Sequence, residues 1–267
     1  MSKPHASVAV VAVVLGGASA LSACSGIKPQ PLAPQALTRL LAVQNTPAST
    51  GDQIYEGRVY ALDGRTDPLF RYERRVRADG PAVTSTHITH DPSGSVVVIQ
   101  SAVHSPAYDL TRADMIHRQT GASASVTVAN GEATFTLTGG GHESVSRESV
   151  QDPVVAGPTM FGFILAHWDE LARGAALPIR FAVLERGETL GFVLDKMSES
   201  DGRTTIRMKP TSLLVRLAVA PTYFQFDTAS RQIIEYTGRV PPLELVQDRL
   251  QTLDARVAYT FRTAAFR

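Results

Sequence analysis

The sequence predicts a mainly β fold: one curved antiparallel sheet or incomplete barrel, with one central amphipathic helix. From Gln53 onward, apolar and polar residues alternate with a period of two, which is typical of strands that bury one face. Turn motifs such as Asn130-Gly131 and Asp201-Gly202 separate these runs. About ten to twelve strands are too much sheet to leave flat and uncovered, so we expect them to curve around the helix. A two-sheet sandwich with the helix at one edge is the alternative.

The first 24 residues carry the most specific signal in the chain. Lys3 is followed by an uncharged run over residues 7–23, SVAVVAVVLGGASALSA, which ends at Cys24, the only cysteine. This layout is typical of a signal peptide, and we predict one over residues 1–23. About 20 apolar residues are needed to span a bilayer. The Gly16-Gly17 pair and the small residues after it weaken the alternative of a transmembrane helix.

The segment Leu21-Ser22-Ala23-Cys24 resembles the lipobox of bacterial lipoproteins. The resemblance implies cleavage just before Cys24 and acylation of its thiol, with palmitate among the acyl groups. The membrane would then be a partner through the acyl chains on Cys24, since each buried methylene contributes about 0.8 kcal/mol. Ser25, in place of Asp, implies an outer-membrane location facing the periplasm if the envelope is Gram-negative.

Residues 24–52 are predicted to form a lipidated tether that leads to a single β-rich domain over residues 53–267. Four prolines in the tether favour extended, solvated backbone. Within it, apolar residues at helical spacing predict a short amphipathic helix over residues 35–44, either docked on the domain or lying on lipid headgroups.

The first strands of the domain show their faces clearly. In the run Leu69 to Arg77, one face is polar and the other is mostly apolar. Arg74 falls on the apolar face, where a buried guanidinium would need a carboxylate partner. Residues 96–99 are apolar on both faces and predict a central, covered strand. Residues 124–128 and 133–137 flank Asn130-Gly131 and predict a tight hairpin.

The central helix is predicted from Pro158-Thr159 to Gly174. One apolar stripe follows its length: Phe161, Ile164, Leu165, Trp168 and Leu171. This stripe is either ordinary core or the wall of an apolar pocket, and on the second interpretation Phe161, Ile164, Leu165 and Trp168 are the candidate ligand-binding residues. Strands resume after it, and residues 212–219 fit either a strand or a short helix.

Composition and motifs argue against several functions. With 26 basic and 25 acidic residues and no basic block, nucleic acid is not expected as a partner. One cysteine excludes a disulfide framework and multi-cysteine metal sites. His87 and His90 would point to opposite faces of a strand, and His142-Glu143 lacks the second histidine of a zinc-protease motif. No Gly-x-Ser-x-Gly motif occurs, so we predict no catalytic residue, no metal and no cofactor.

A lipobox followed by a curved antiparallel sheet around a helix is similar to periplasmic lipoprotein carriers and outer-membrane lipoprotein receptors, and the globular part otherwise resembles bacterial envelope lipoproteins. The first similarity covers the order of elements only, and it implies a hollow that holds acyl chains. We therefore expect a non-enzymatic, lipid-anchored envelope protein that binds an apolar ligand or lipid between sheet and helix. The alternatives are a structural or assembly lipoprotein that contacts another envelope protein, and an envelope hydrolase.

Overall fold

A computed structural model describes residues 27–45 and 52–263, and a single sheet holds the fifteen strands found in these ranges. The helices are α1 (Pro34–Asn45), α2 (Met160–Ala166), α3 (Trp168–Ala172) and α4 (Leu213–Ala218). The strands are β1 (Gln53–Ala61), β2 (Phe70–Asp79), β3 (Ala82–His90), β4 (Val96–His104), β5 (Leu110–His117), β6 (Ala122–Ala129), β7 (Glu132–Gly139), β8 (His142–Ser149), β9 (Val154–Val155), β10 (Ala176–Val183), β11 (Glu188–Ser200), β12 (Arg203–Pro210), β13 (Thr222–Asp227), β14 (Ile233–Val246) and β15 (Arg249–Thr263). The predictions for residues 1–23 and for Cys24 lie outside the described residues. Within those residues, no helix combines the length and the apolar character needed to cross a membrane.

The sheet is an antiparallel meander that joins its two halves through β1 and β15. Its order runs from β8 back to β1, then to β15, and from there back to β10, with β9 added in parallel at the far edge. The edge strand β8 contacts the β10–β11 turn near the other edge, where Ser146 of β8 donates a hydrogen bond to the Gly187 carbonyl and the Thr189 N–H donates to Glu148. Side-chain bonds rather than a strand ladder bridge this seam, so the sheet is curved but open, and the predicted mainly β, curved sheet is confirmed.

The core lies against the inner face of the curved sheet. Successive residues alternate between the faces, and β1 places Tyr55, Gly57 and Val59 inside. The described interior contains two large apolar clusters, of which the second includes α2 and α3. A third cluster lies on the outer face, where α1 inserts the fully buried Leu40 against β3 and β4. The tether helix therefore docks on the domain.

The prediction of one continuous helix over residues 158–174 is wrong. A 3₁₀ turn (Gly157–Thr159) precedes α2, and the helix is interrupted at His167, whose φ and ψ are −104° and 18°. A single apolar stripe requires a helix with one solvated face. Every residue from Met160 to Ile164 is instead buried, including Phe163, which lies off the predicted stripe. A segment enclosed by a curved sheet is covered on several sides, so its apolar residues need not follow one stripe.

The hairpin turn predicted at Asn130-Gly131 is present in the structure. Asn130 and Gly131 have φ values of 52° and 73°, and they join β6 to β7 in the predicted hairpin. The ambiguous segment 212–219 contains α4. The described residues contain fifteen strands, more than the ten to twelve predicted. β14 and β15 pair with each other up to their shared turn, which satisfies their backbone groups.

Candidate functional site

A buried arginine is the most unusual feature of the inner face. Arg74 of β2 is 3% exposed and lies between Tyr55 of β1 and His87 of β3 in the strand register. Its Nε donates a hydrogen bond to the Pro158 carbonyl oxygen at 3.2 Å. The guanidinium carbon lies 5.5 Å from the ring centre of Tyr55 and 5.7 Å from that of Phe161, within the range of cation–π attraction.

The carboxylate expected beside Arg74 from the sequence is replaced by a carbonyl oxygen and two aromatic rings. Arg74 Nη2 has no hydrogen-bond partner. A buried charge without a counter-charge costs several kcal/mol, because neither a carbonyl dipole nor a ring quadrupole supplies a full negative charge. The position is therefore suited to receive an anion.

His87 presents a second unpaired group beside Arg74. The side chain is 7% exposed, and its Nε2 lacks a hydrogen-bond partner. Burial, and to a smaller extent the charge of Arg74, holds the pKa of His87 well below its usual value, so the ring is neutral near pH 7. Three buried side-chain nitrogens in the described ranges lack a hydrogen-bond partner, and Arg74 and His87 contribute two of them. Such atoms are rare in folded proteins.

The 3₁₀ turn lies directly over Arg74 and His87. Gln100 of β4 follows His87 in the register, and a Cβ placed on Gly157 would lie 3.1 Å from Gln100 Oε1 and 4.0 Å from His87 Nδ1. Glycine at this position lets the turn backbone approach the sheet. We call Arg74, His87, Gln100 and the turn Gly157–Thr159 the Arg74 site.

Tyrosines frame the Arg74 site without adding charge. Burial raises the pKa of both Tyr72 and Tyr259 well above the usual value, so both remain protonated. The Tyr72 ring contacts His87 edge-on at 4.8 Å, and Phe161 contacts Tyr259 at 5.2 Å. The site therefore combines one fixed positive charge with apolar, aromatic walls, which fits a ligand with an anionic head and an apolar body.

The structure separates the four predicted ligand-binding residues. Phe161 lies at the Arg74 site, and Ile164 is fully buried one turn further along α2. Leu165 is half-buried. Trp168 belongs to α3, where it packs edge-on against Phe226 and beneath the guanidinium of Arg231. Of the four, only Phe161 contacts the Arg74 site.

The predicted stripe faces packed side chains rather than an open pocket. Two surface clefts, of about 600 and 370 Å3, occur in the described residues. Charged side chains line both: the first lies on the outer face of β15, β1 and β2, and the second at the β8 seam. Neither is lined by a residue of α2 or α3. A ligand at the Arg74 site would therefore have to displace the segment that covers it.

A serine and a histidine meet elsewhere in the interior. Ser85 Oγ lies 3.0 Å from His104 Nε2, and His104 Nδ1 lies 2.7 Å from the Ser105 carbonyl oxygen. The geometry resembles a nucleophile and its base. However, Ser85 is fully buried, and the Tyr108 ring stacks on His104 at 4.6 Å. Neither cleft of the described residues reaches the pair, so the hydrolase alternative receives no support.

Arg74 stands out in the sequence as an exception to its strand pattern, whereas the role of His87 does not. The signal for Arg74 is a charge between Tyr72 and Val76 on an apolar face. His87 has the pattern of an ordinary strand histidine, because the pattern does not show that Arg74 lies opposite it in the strand register. Pro158, the hydrogen-bond partner of Arg74, lies 84 residues away, so only the fold brings them together.

Comparisons with known proteins reveal no family. No protein-family model matches the chain, and no curated protein matches it. Among solved structures, the chain is similar to a β-barrel-like protein with a domain of unknown function from Brucella abortus, at 6% identity and a TM-score of 0.40, covering 81% of this chain and 98% of that one. It is also similar to a putative outer membrane lipoprotein-sorting protein domain from Vibrio parahaemolyticus, at 10% identity and a TM-score of 0.21, covering 87% and 93%. Likenesses this low assign no function to the chain.

Proposed function

We propose that this protein is a non-enzymatic, lipid-anchored envelope protein that binds an anionic amphiphile, such as a free fatty acid, between its sheet and α2. The carboxylate would lie at Arg74, and the acyl chain would lie along the inner face that Phe161 and Ile164 now cover. One observation carries the proposal: Arg74 is buried with no carboxylate of the described residues paired to it and with Nη2 lacking a hydrogen-bond partner.

The chemistry of the Arg74 site suits a carboxylate. A guanidinium presents parallel N–H donors that pair with both oxygens of a carboxylate, and such charge-assisted bonds are about twice as strong as neutral ones. His87 can add a further hydrogen bond through Nε2 in the tautomer that protonates this atom. The bound anion would supply the counter-charge that the protein interior lacks.

Displacement of the covering segment is energetically feasible. Burial of each large apolar side chain contributes about 1.5–3 kcal/mol, so exposing Met160, Phe161 and Ile164 would cost roughly 5–9 kcal/mol. An acyl chain of about fourteen methylenes gains on the order of 11 kcal/mol when it is buried. The two terms are comparable, and pairing the carboxylate with Arg74 would favour the ligand. The segment is short, and Arg74 holds its first turn through a single hydrogen bond.

The anchor places this binding site beside a source of lipid. We propose that acyl chains on Cys24 hold the body at the membrane, on the periplasmic side of the outer membrane in a Gram-negative host. The lipobox supports this part of the proposal, which is independent of Arg74. Loss of membrane association and of acyl mass in Cys24→Ser would support it, whereas an unchanged mass and location would contradict it.

Photocrosslinking tests the ligand proposal. Envelope membranes that contain the full chain are exposed to a diazirine-labelled fatty acid, irradiated, and analysed by mass spectrometry of the purified protein. Arg74→Gln should reduce crosslinking by about tenfold to a hundredfold, the equivalent of one charged hydrogen-bonded contact. Arg71→Gln is the matched control, because Arg71 lies on the same strand but is exposed on the outer face.

Two further measurements sharpen the result. A fatty alcohol should compete more weakly than the fatty acid of the same length, because it lacks the carboxylate. The single tryptophan, Trp168, adjoins α2 and should change its emission when the ligand displaces that segment. Equal labelling of the two variants, with both folded by circular dichroism, would overturn the proposal.

A further inference from the structure

The exposed apolar side chains of the described residues are concentrated at one end of the strands. Connections in an antiparallel meander alternate between two ends, and we call the end that carries the β14–β15 turn the anchor end. Eleven large apolar side chains are exposed, and seven of these lie at the anchor end. They are Ile27, Leu62, Leu213, Leu214, Leu217, Leu245 and Val246.

The opposite end is different in composition. Its turns include Asp79-Gly80-Pro81, Asn130-Gly131, Asp201-Gly202 and residues 228–232. Among the described connections at this end, no large apolar side chain is exposed. The exposed apolar turns are thus concentrated at one end. This distribution indicates that the two ends have different environments, because exposed apolar side chains are not stabilised by clustering at one end in water.

The leucines of α4 are the most exposed members of the set. Leu213, Leu214 and Leu217 are 74%, 79% and 87% exposed, on a six-residue helix between β12 and β13. Leu245 and Val246 are the last residues of β14, directly before the Gln247-Asp248 turn of the long β14–β15 hairpin, and they are 57% and 37% exposed. The apolar tips thus belong to separate connections of the sheet.

The N-terminal chain enters the described structure at this same end. Ile27 exchanges two backbone hydrogen bonds with Leu250, at the start of β15. Cys24 is three residues earlier, so it can reach no more than about 10 Å from this bridge. The apolar run 7–23 directly precedes it. A membrane attachment through either feature would therefore hold the anchor end against the bilayer.

We infer that the anchor end is a membrane-contacting surface. The α4 leucines and the β14–β15 tip insert from it into the bilayer. The exposed apolar residues at this end are all aliphatic, whereas energetically dominant contacts between proteins are enriched in Trp, Tyr and Arg and poor in Leu. Separate aliphatic tips also suit a fluid bilayer, which closes around each tip independently. The inference rests on the envelope location proposed above but not on a ligand at Arg74.

Depth-dependent quenching tests this surface. Single cysteines are introduced at Leu214, Leu245 and Met197 in the full chain, whose own cysteine, Cys24, keeps the proposed acyl anchor and is thereby blocked from labelling. Each is labelled with bimane, and the chain is reconstituted into phosphatidylethanolamine–phosphatidylglycerol vesicles with and without spin-labelled lipid. Met197 is the matched control, since it is 54% exposed but lies toward the opposite end of β11.

Quenching at positions 214 and 245 should exceed that at 197 several-fold. Equal quenching at all three positions would overturn the inference. So would labels at 214 and 245 that stay unquenched in vesicles while the same cysteines are protected from alkylation in native envelopes, because a protein partner would then cover this end. Arg74→Gln should leave the quenching pattern unchanged, which separates this result from failure of the ligand proposal.

Discussion

Replacing Gly162 by alanine sets two opposing effects against each other within α2. In an exposed helix interior, Gly→Ala stabilises by about 1 kcal/mol. At Gly162, however, an added Cβ would lie 1.9 Å from two ring carbons of Tyr108. No real Cβ tolerates this distance, so the Tyr108 ring must move away. The sign of the effect therefore depends on what moving Tyr108 costs.

The cost can be estimated from the contacts of Tyr108. Its ring stacks on His104 with 4.6 Å between centres and 18° between planes. Losing this stacking costs about 0.5–1.5 kcal/mol. Losing half of the burial of a large side chain adds roughly 1–1.5 kcal/mol. After subtraction of the helix gain, Gly162→Ala should lower the free energy of unfolding by about 0.5–2 kcal/mol.

A double-mutant cycle isolates the clash. Tyr108 has a φ of 68°, so Tyr108→Gly removes the ring and keeps a backbone conformation that glycine adopts readily. In this background Gly162→Ala should become stabilising by about 1 kcal/mol, so the coupling is roughly 1.5–3 kcal/mol. Urea denaturation followed by Trp168 fluorescence measures all four chains. Equal effects of Gly162→Ala in both backgrounds would refute the reasoning.

Two further predictions concern buried histidines and the docked helix α1. Burial lowers the pKa of His87, His104 and His117, so all three bind a proton less readily in the folded chain than in the unfolded chain, where histidine titrates near 6.5. The unfolded chain then binds more protons than the folded chain as pH falls below about 6.5, so the free energy of unfolding should decrease, with an upper limit of about 4 kcal/mol per pH unit when three histidines protonate only in the unfolded chain. Urea midpoints measured between about pH 7.5 and pH 5.5 check this, and a flat or rising profile would contradict it. Leu40→Ala should lower the free energy of unfolding by about 2–4 kcal/mol, because the Leu40 side chain is fully buried between α1 and the sheet. Limited proteolysis should then cut α1 first. Leu41→Ala, at a residue 42% exposed, should change little, and equal sensitivity of the two variants would argue against docking through Leu40.

Local patterns were sufficient for the elements whose determinants are close in sequence. The Asn130-Gly131 hairpin, the tether helix and the alternating faces of β1 and β2 depend on turn chemistry and residue spacing, which a short window contains. The strand pattern also identified Arg74 as the one charge on an apolar face. Its expected carboxylate did not appear, because a pattern gives the face of a residue but not what approaches that face.

The amino-acid sequence by itself determined that this chain is rich in strands, where many of them turn, and that an apolar run ends at Cys24. Only the tertiary structure decided that α2 breaks at His167, that His87 and Pro158 meet Arg74, and that the apolar turns gather at one end with Ile27. These features depend on contacts between residues separated by tens to hundreds of positions. Curvature of the sheet brings them together, and it arises from the summed packing of many strands rather than from any short segment.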